Sequence, residues 1–180
     1  MKKKFIDPLI KRKANLTKNV QFYKKNIPLP SVIEISESGT CNRKCSFCPR
    51  SAPDFLDIKE FVSEDLIFKL SKELSSYDYS GIFLFSGFVE PMVDKNIYNL
   101  VSIVKSNLPK TRIEMVTNGD ALNISRVKKL FDAGLSTLLV SIYDGKKEAD
   151  EMQKLLQNSG LNENQFKVRH RYLPESESFG

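Results

Sequence analysis

The sequence predicts an α/β fold in which parallel strands and helices alternate along the chain. From residue 31 onward, short apolar runs rich in β-branched residues alternate with segments of helical periodicity. Repeated strand–helix–strand steps are typical of right-handed parallel crossovers. The 180 residues, 41% of them hydrophobic, suffice for one domain with a sizeable core. A partial barrel and an open parallel sheet both fit this pattern.

Residue type predicts the first strand, and helix-end signals predict the first helix. Residues 31–36 (SVIEIS) are rich in β-branched side chains and predict a strand. Ser63 is a typical helix N-cap, and two acids follow it in the first turn. A helix over residues 63–74 would place four aliphatic side chains on one face: Leu66, Ile67, Leu70 and Leu74.

The later elements repeat this alternation. Turn and stop signals support the assignments, with Thr-Asn-Gly after the third strand and Gly134 after the third helix. In parallel α/β folds the carboxyl ends of the strands carry the chemistry, so functional side chains are expected directly after the strands. The four remaining strands are predicted over 81–86, 112–116, 137–143 and 166–172, and the three remaining helices over 95–108, 123–133 and 146–157.

Charge divides the chain into a basic leader, residues 1–30, and a core domain, residues 31–180. The leader has nine Lys and Arg against one acid, a charge of +8, whereas the core has 19 against 21, a charge of −2. A basic leader could contact nucleic acid, acidic lipid or an acidic partner. The preferred interpretation is a solvated leading helix, and the weaker alternative is a nucleic-acid-binding protein that acts through this leader. Apolar runs are too short for a membrane span, and no secretion signal is recognised.

Three cysteines form a CxxxCxxC array after the first strand, at Cys41, Cys45 and Cys48. An odd, clustered set is a poor disulfide framework but a good ligand set, which favours a reducing cytoplasm. Three thiolates are one too few for a closed zinc site or a fully ligated four-iron cluster. The array therefore predicts a metal centre with an open position. A chance cluster, or a zinc site completed by another residue, remains an alternative.

The array resembles that of the radical S-adenosylmethionine (radical SAM) superfamily, and the resemblance extends over residues 31–172. It implies a partial (β/α) barrel in which the cysteines ligate three irons of a [4Fe-4S] cluster and SAM chelates the fourth. Reductive cleavage of SAM would give a 5′-deoxyadenosyl radical that abstracts hydrogen from a substrate. An external electron donor of the flavodoxin or ferredoxin type is also implied.

The resemblance assigns SAM-binding roles to residues after several strands. Phe47 would contact adenine, and the segment from Gly87 to Pro91 resembles the Gly-x-Gly-Glu-Pro motif, in which Glu90 would accept from the SAM ammonium. The departure at Val89 puts the backbone there in question. Further candidates for binding the ribose or carboxylate of SAM are Ser141, Arg169 and Arg171. Asn118, after the third strand, could support the cofactor. For all four residues a purely structural role is the alternative. His170 is interpreted as a packed or surface residue.

The core is expected to be incomplete, because five strands are predicted where the family has about six strand–helix units. Members acting on peptides or sugars often carry a cysteine-rich C-terminal extension, the SPASM or Twitch type, for which this sequence has no cysteines left. A C-terminal domain or a partner chain could complete the core. The substrate is not identified, with a peptide or carbohydrate preferred. The alternatives are a non-catalytic iron–sulfur or zinc module and a degenerate family member.

Overall fold

The protein is described here by a computed structural model of Lys18 and residues 20–172. Its centre is a five-stranded, wholly parallel sheet in the order β3-β4-β5-β6-β7. Each strand therefore lies beside the next one in sequence, as expected for a partial barrel. The sheet strands are β3 (Val32–Ile35), β4 (Ile82–Phe85), β5 (Arg112–Thr117), β6 (Thr137–Ile142) and β7 (Phe166–His170), preceded by a hairpin of β1 (Phe22–Tyr23) and β2 (Ile27–Pro28).

One helix occupies each connection between neighbouring strands of the sheet. The helices are α1 (Glu64–Ser76), α2 (Ile97–Asn107), α3 (Ile124–Asp132) and α4 (Lys146–Asn158). Ser63 caps α1 as predicted, since its side chain accepts from the backbone N–H of Leu66. Every predicted strand and helix of the core is confirmed with ends within two residues.

The core lies where the helices cover the sheet. All six residues of β6 are buried, as expected for a central parallel strand covered on both faces. Strand register is regular, with Val32 opposite Ile82 and Ile35 opposite Phe85. Parallel register brings the carboxyl ends of all five strands to one edge of the sheet, where the loops meet.

One prediction about local structure is wrong. Residues 22–28 form a hairpin rather than part of a leading helix, with Phe22 paired to Pro28 and Tyr23 to Ile27. The remainder of the predicted leading helix, residues 1–17 and 19, lies outside the described residues. On α1, Leu66 is more than half exposed, whereas Ile67 and Leu74 are buried.

A loop covers the free side of the first sheet strand just beyond its carboxyl end. The backbone N–H of Gly39 donates to the Glu60 carbonyl at 3.0 Å, and that of Val62 donates to the Glu37 carbonyl at 2.7 Å. A Cβ at position 39 would lie 2.2 Å from the carbonyl oxygen of Ile58. Glycine is therefore required at position 39 for this close approach. No helix within the described part of the chain is long and apolar enough to cross a membrane.

Candidate functional site

A cavity of about 100 Å³ lies at the carboxyl ends of the sheet strands. Its walls combine the cysteine segment, residues 41–48, with the glycine segment, residues 86–91, and the ends of β5 and β6. The structure thus brings together six of the nine predicted site residues, namely Cys41, Cys45, Cys48, Phe47, Gly87 and Glu90. The other three, Ser141, Arg169 and Arg171, do not line this cavity.

The cysteine segment is held by its own backbone and by contacts from β5. The N–H of Cys48 donates to the carbonyl of Cys45 at 2.9 Å, which forms a tight turn between the second and third thiols. The Cys41 sulfur accepts from the backbone N–H of Arg43 at 3.4 Å and lies 3.9 Å from the side-chain amide of Asn118. All three thiols are free and partly buried. Burial raises the pKa of Cys41 and of Cys45.

The donor set of the cavity is of the kind that iron–sulfur clusters use. Three partly buried thiols line one cavity. Soft thiolates are the donors that such clusters prefer, and in a four-iron cluster each thiolate would ligate a different iron. The residues present therefore fit the predicted cluster.

Glu90 is almost wholly buried and already engaged within the protein. One carboxylate oxygen accepts from the Met92 N–H at 3.0 Å and the Thr117 hydroxyl at 2.5 Å, and the other accepts from the Asn118 N–H at 2.7 Å. Burial raises the pKa of Glu90 in spite of these hydrogen bonds, which act in the opposite direction. Glu90 thus joins the glycine segment to the end of β5. Its contact with a SAM ammonium stays a prediction.

The glycine segment needs glycine at one of its positions. Gly87 has φ of +129°, and a Cβ there would lie 2.2 Å from the Ser36 hydroxyl oxygen at the end of β3. Val89 has no positive φ, so a β-branched side chain is compatible with the backbone at the position where the sequence departs from the motif. Both residues line the cavity.

Two arginines secure opposite ends of the cysteine segment, and sequence reasoning assigned neither of them a role. Arg50, directly after the Cys48-Pro49 pair, is buried and donates to the carbonyls of Gly39 at 3.0 Å and Phe88 at 3.1 Å. It also pairs with Asp57. Arg43 lies between the first two cysteines and pairs with acids that follow later strands. The sequence does show one cation inside the cysteine array and one just after it. Their positions alone do not reveal which carboxylates or carbonyls they bind.

An aromatic pair flanks the cavity mouth. The rings of Phe47 and Tyr143 lie 5.3 Å apart, and Phe47 is 68% exposed. Tyr143 follows β6 and was not predicted as a site residue. Burial raises its pKa, and the nearby Ser141 side chain acts in the opposite direction. The ring of Phe47 therefore lies at the solvent side of the site, where its predicted adenine contact remains untested.

The remaining candidates lie on the last two strands and the following turn. Ser141 on β6 is opposite Arg169 on β7, and both are buried. The backbone N–H of Arg171 donates to the Ile142 carbonyl at 2.8 Å. His170 lies 2.8 Å from the Tyr172 hydroxyl and does not line the cavity. A contact of Ser141, Arg169 or Arg171 with SAM stays a prediction.

Comparison with known proteins gives two relatives. The chain is 32% identical over 117 residues to the S-adenosyl-L-methionine-dependent 2-deoxy-scyllo-inosamine dehydrogenase of Niallia circulans, covering 65% of this chain and 46% of that protein. It is 27% identical over 130 residues to the GTP 3',8-cyclase of Aquifex aeolicus (strain VF5), covering 71% and 39%.

Two solved structures of one protein, BtrN, superpose on this chain. The crystal structure of BtrN in complex with AdoMet and 2-DOIA superposes with a TM-score of 0.67 at 26% identity, covering 78% of this chain and 56% of that one. The open conformation of BtrN gives 0.55 at 30% identity, covering 67% and 53%. The chain thus spans about half the length of the relatives it matches.

A sequence model of the radical SAM superfamily matches residues 35–171. This match begins at the end of β3, includes the whole cysteine segment and ends just after β7. It covers well over half of the chain, and the fold agrees with it. This protein belongs to the radical SAM superfamily.

Proposed function

We propose that this chain is the catalytic core of a radical SAM enzyme, in which Cys41, Cys45 and Cys48 hold a [4Fe-4S] cluster. The observation that carries the proposal is that all three thiols and Glu90 line one cavity at the carboxyl ends of parallel strands. Such a cluster would supply one electron for the reductive cleavage of SAM to methionine and a 5′-deoxyadenosyl radical. A reducing cytoplasm suits these free thiols.

The protein's part is to bind, orient and exclude water. The carboxylate of Glu90 would receive the SAM ammonium while it keeps the glycine segment joined to β5. Gly87 leaves room for the ligand to approach the backbone, and Phe47 would cover the adenine. Ser141, Arg169 and Arg171 would support the ribose or carboxylate from the adjacent strands. The ring pair of Phe47 and Tyr143 would limit the access of water once a ligand fills the cavity.

For the substrate, we propose a small hydroxylated ring, in the carbohydrate class. The support is the relative named as a dehydrogenase of 2-deoxy-scyllo-inosamine, which is 32% identical to this chain over 117 residues. The GTP cyclase shows that relatives also act on a nucleotide. An external flavodoxin or ferredoxin would deliver the electron, and a further domain or partner chain would complete the substrate side of the site.

The test is anaerobic reconstitution with iron and sulfide, followed by dithionite and SAM. Wild-type chain should bind about four irons, as expected for a [4Fe-4S] cluster, and form 5′-deoxyadenosine. Cys45→Ala should lose the cluster and the product. Cys45→Ser serves as a conservative control, because a hydroxyl at the same place replaces a soft ligand with a poor one.

Each alternative outcome would reject part of the proposal. Zinc in place of iron, or iron binding that survives Cys45→Ala, would contradict the cluster assignment. A complete cluster without 5′-deoxyadenosine would identify a degenerate core that holds the cluster but does not cleave SAM.

A further inference from the structure

The side chain of Arg43 joins the segment between the first two cysteines to the loops that follow β5 and β6. The Nε of Arg43 donates to Asp120 at 2.7 Å, and a second guanidinium nitrogen pairs with the other oxygen of the same carboxylate. This two-point contact matches the planar fork of arginine to a carboxylate and fixes orientation as well as distance. Asp120 follows β5, 77 residues further along the chain.

Two more carboxylates complete the surroundings of the guanidinium. Asp144, after β6, lies 3.0 Å from Arg43, and Glu148, in the first turn of α4, lies 3.3 Å away. The other oxygen of Glu148 accepts from the Asp144 N–H at 3.1 Å, so these two acids hold each other in place. The Arg43 side chain is only 18% exposed. Hydrogen bonds of a partly buried charged group are stronger than those of an exposed ion pair.

A parallel set of amide contacts runs beside the guanidinium. Asn42 donates to Asp120 at 2.8 Å and accepts from Asn118 at 2.7 Å, and the Asp120 N–H donates to the Asn118 side chain at 3.0 Å. The backbone N–H of Arg43 meanwhile donates to the Cys41 sulfur. The contacts therefore run without interruption from the thiol to three carboxylates on two loops and a helix.

We propose that Arg43 is a positioning residue that fixes Cys41 and Cys45 against the carboxyl ends of β5 and β6 before any metal binds. Its importance for a cluster rests on the proposed function, but its contacts are made by the metal-free chain. Lys44, the other cation between the same cysteines, is exposed to solvent. The two neighbouring cations therefore have different roles, because Arg43 positions the cysteine segment and Lys44 is a solvated charge.

The test measures the alkylation rate of each thiol by iodoacetamide in the metal-free, full-length chain, with each site resolved by fragment-ion mass spectrometry. Arg43→Gln should speed the reaction of Cys41 and Cys45 by about tenfold, the factor expected when charge-assisted hydrogen bonds are lost. Removing a positive charge would by itself disfavour the thiolate and slow alkylation. Faster alkylation therefore indicates loss of the hydrogen bonds, and slower alkylation indicates loss of the positive charge alone.

Matched variants test the geometry. Asp120→Asn should resemble Arg43→Gln, and the double variant should add little, because both remove one contact. Arg43→Lys should restore part of the protection, since it keeps the charge without the fork. Lys44→Gln should react like wild type. Amide hydrogen exchange in β5 should stay unchanged in all variants, which shows that the sheet remains folded.

Equal alkylation rates in wild type and Arg43→Gln would overturn the inference. The same acceleration in Lys44→Gln would also overturn it, as would faster amide exchange in β5, because the effect would then be general charge or general unfolding. Iron content is measured separately on the same proteins. A wild-type chain that binds no iron would refute the proposed function and leave the thiol result intact.

Discussion

Glu37 shows how strongly a single residue can link stability to pH. It is wholly buried just after β3, and its Oε2 has no hydrogen-bond partner within the described residues. Burial raises the pKa of Glu37 from 4.5 to about 8, and the nearby carboxylates of Glu90 and Asp94 add to the shift. The side chain is therefore a neutral acid in the folded protein at pH 7.

We predict that Glu37→Gln makes the protein more stable at alkaline pH. The folded state keeps this proton up to a higher pH than the unfolded state does. Stability is thus lost as pH rises from 4.5 to about 8, by roughly 1.4 kcal/mol for each unit. Urea unfolding at pH 6 and pH 8.5 should show a steep fall for wild type and a smaller one for the variant.

The control for this prediction is Glu34→Gln, which removes an exposed acid from β3. It should leave the pH dependence of wild type unchanged. If the unfolding free energies of wild type and Glu37→Gln fall in parallel between pH 6 and pH 8.5, Glu37 is ionised throughout and the prediction fails.

The predicted site residues that meet in the cavity are those with a local signature. Spacing identified the cysteines, and a short motif identified Gly87 and Glu90. Arg43 could not be identified, because its role depends on partners 77 to 105 residues away. Thr117 was interpreted only as part of a turn, because its hydroxyl finds its partner, Glu90, only in the folded protein.

Helix α3 provides a test at the level of a single element. Asn123 precedes it in extended conformation, and its side-chain oxygen accepts from the backbone N–H of Arg126 at 2.9 Å. Asn123→Ala should destabilise the protein by ~1 kcal/mol, because one N–H at the helix start loses its partner. The measurement is the midpoint of thermal or urea unfolding.

The control is Asn123→Ser, which keeps an acceptor and should lose much less stability. Equal losses in the two variants would mean that Asn123 acts through packing and not through the cap.

The core elements were predictable because their signals were long and mutually consistent. Buried strands such as β6 read as continuous apolar runs, and two helices have a clear start or stop signal, Ser63 before α1 and Gly134 after α3. The hairpin of β1 and β2 was missed because two-residue strands have no periodicity to detect. Its basic side chains suggested a solvated helix, but a turn with positive φ at Lys24 and Lys25 forms instead.

For the whole molecule, we predict that loading with iron and sulfide raises the thermal midpoint. A ligand that binds only the folded state stabilises it by about 2.7 kcal/mol when present at 100 times its dissociation constant. Loaded wild type should therefore melt at a higher temperature than the metal-free chain, and SAM should add a further increase. Calorimetry under nitrogen provides the measurement.

Cys45→Ala is the reference for this shift. It should show the same midpoint before and after exposure to iron and sulfide. A rise of equal size in Cys45→Ala would mean that iron stabilises the chain at some other place.

The long-range contacts of Arg43 also bear on how the protein is made. The cysteine segment emerges from the ribosome about 100 residues before Glu148 does. At about 5 to 20 residues per second, this interval lasts roughly 5 to 20 s. Until Glu148 is made, the segment that carries Cys41 and Cys45 lacks part of the carboxylate set that positions it, so its thiols are more open to oxidation and to capture of the wrong metal. The proposed cluster is therefore expected to be inserted only after α4 has been synthesised, when the last carboxylate has joined the fold.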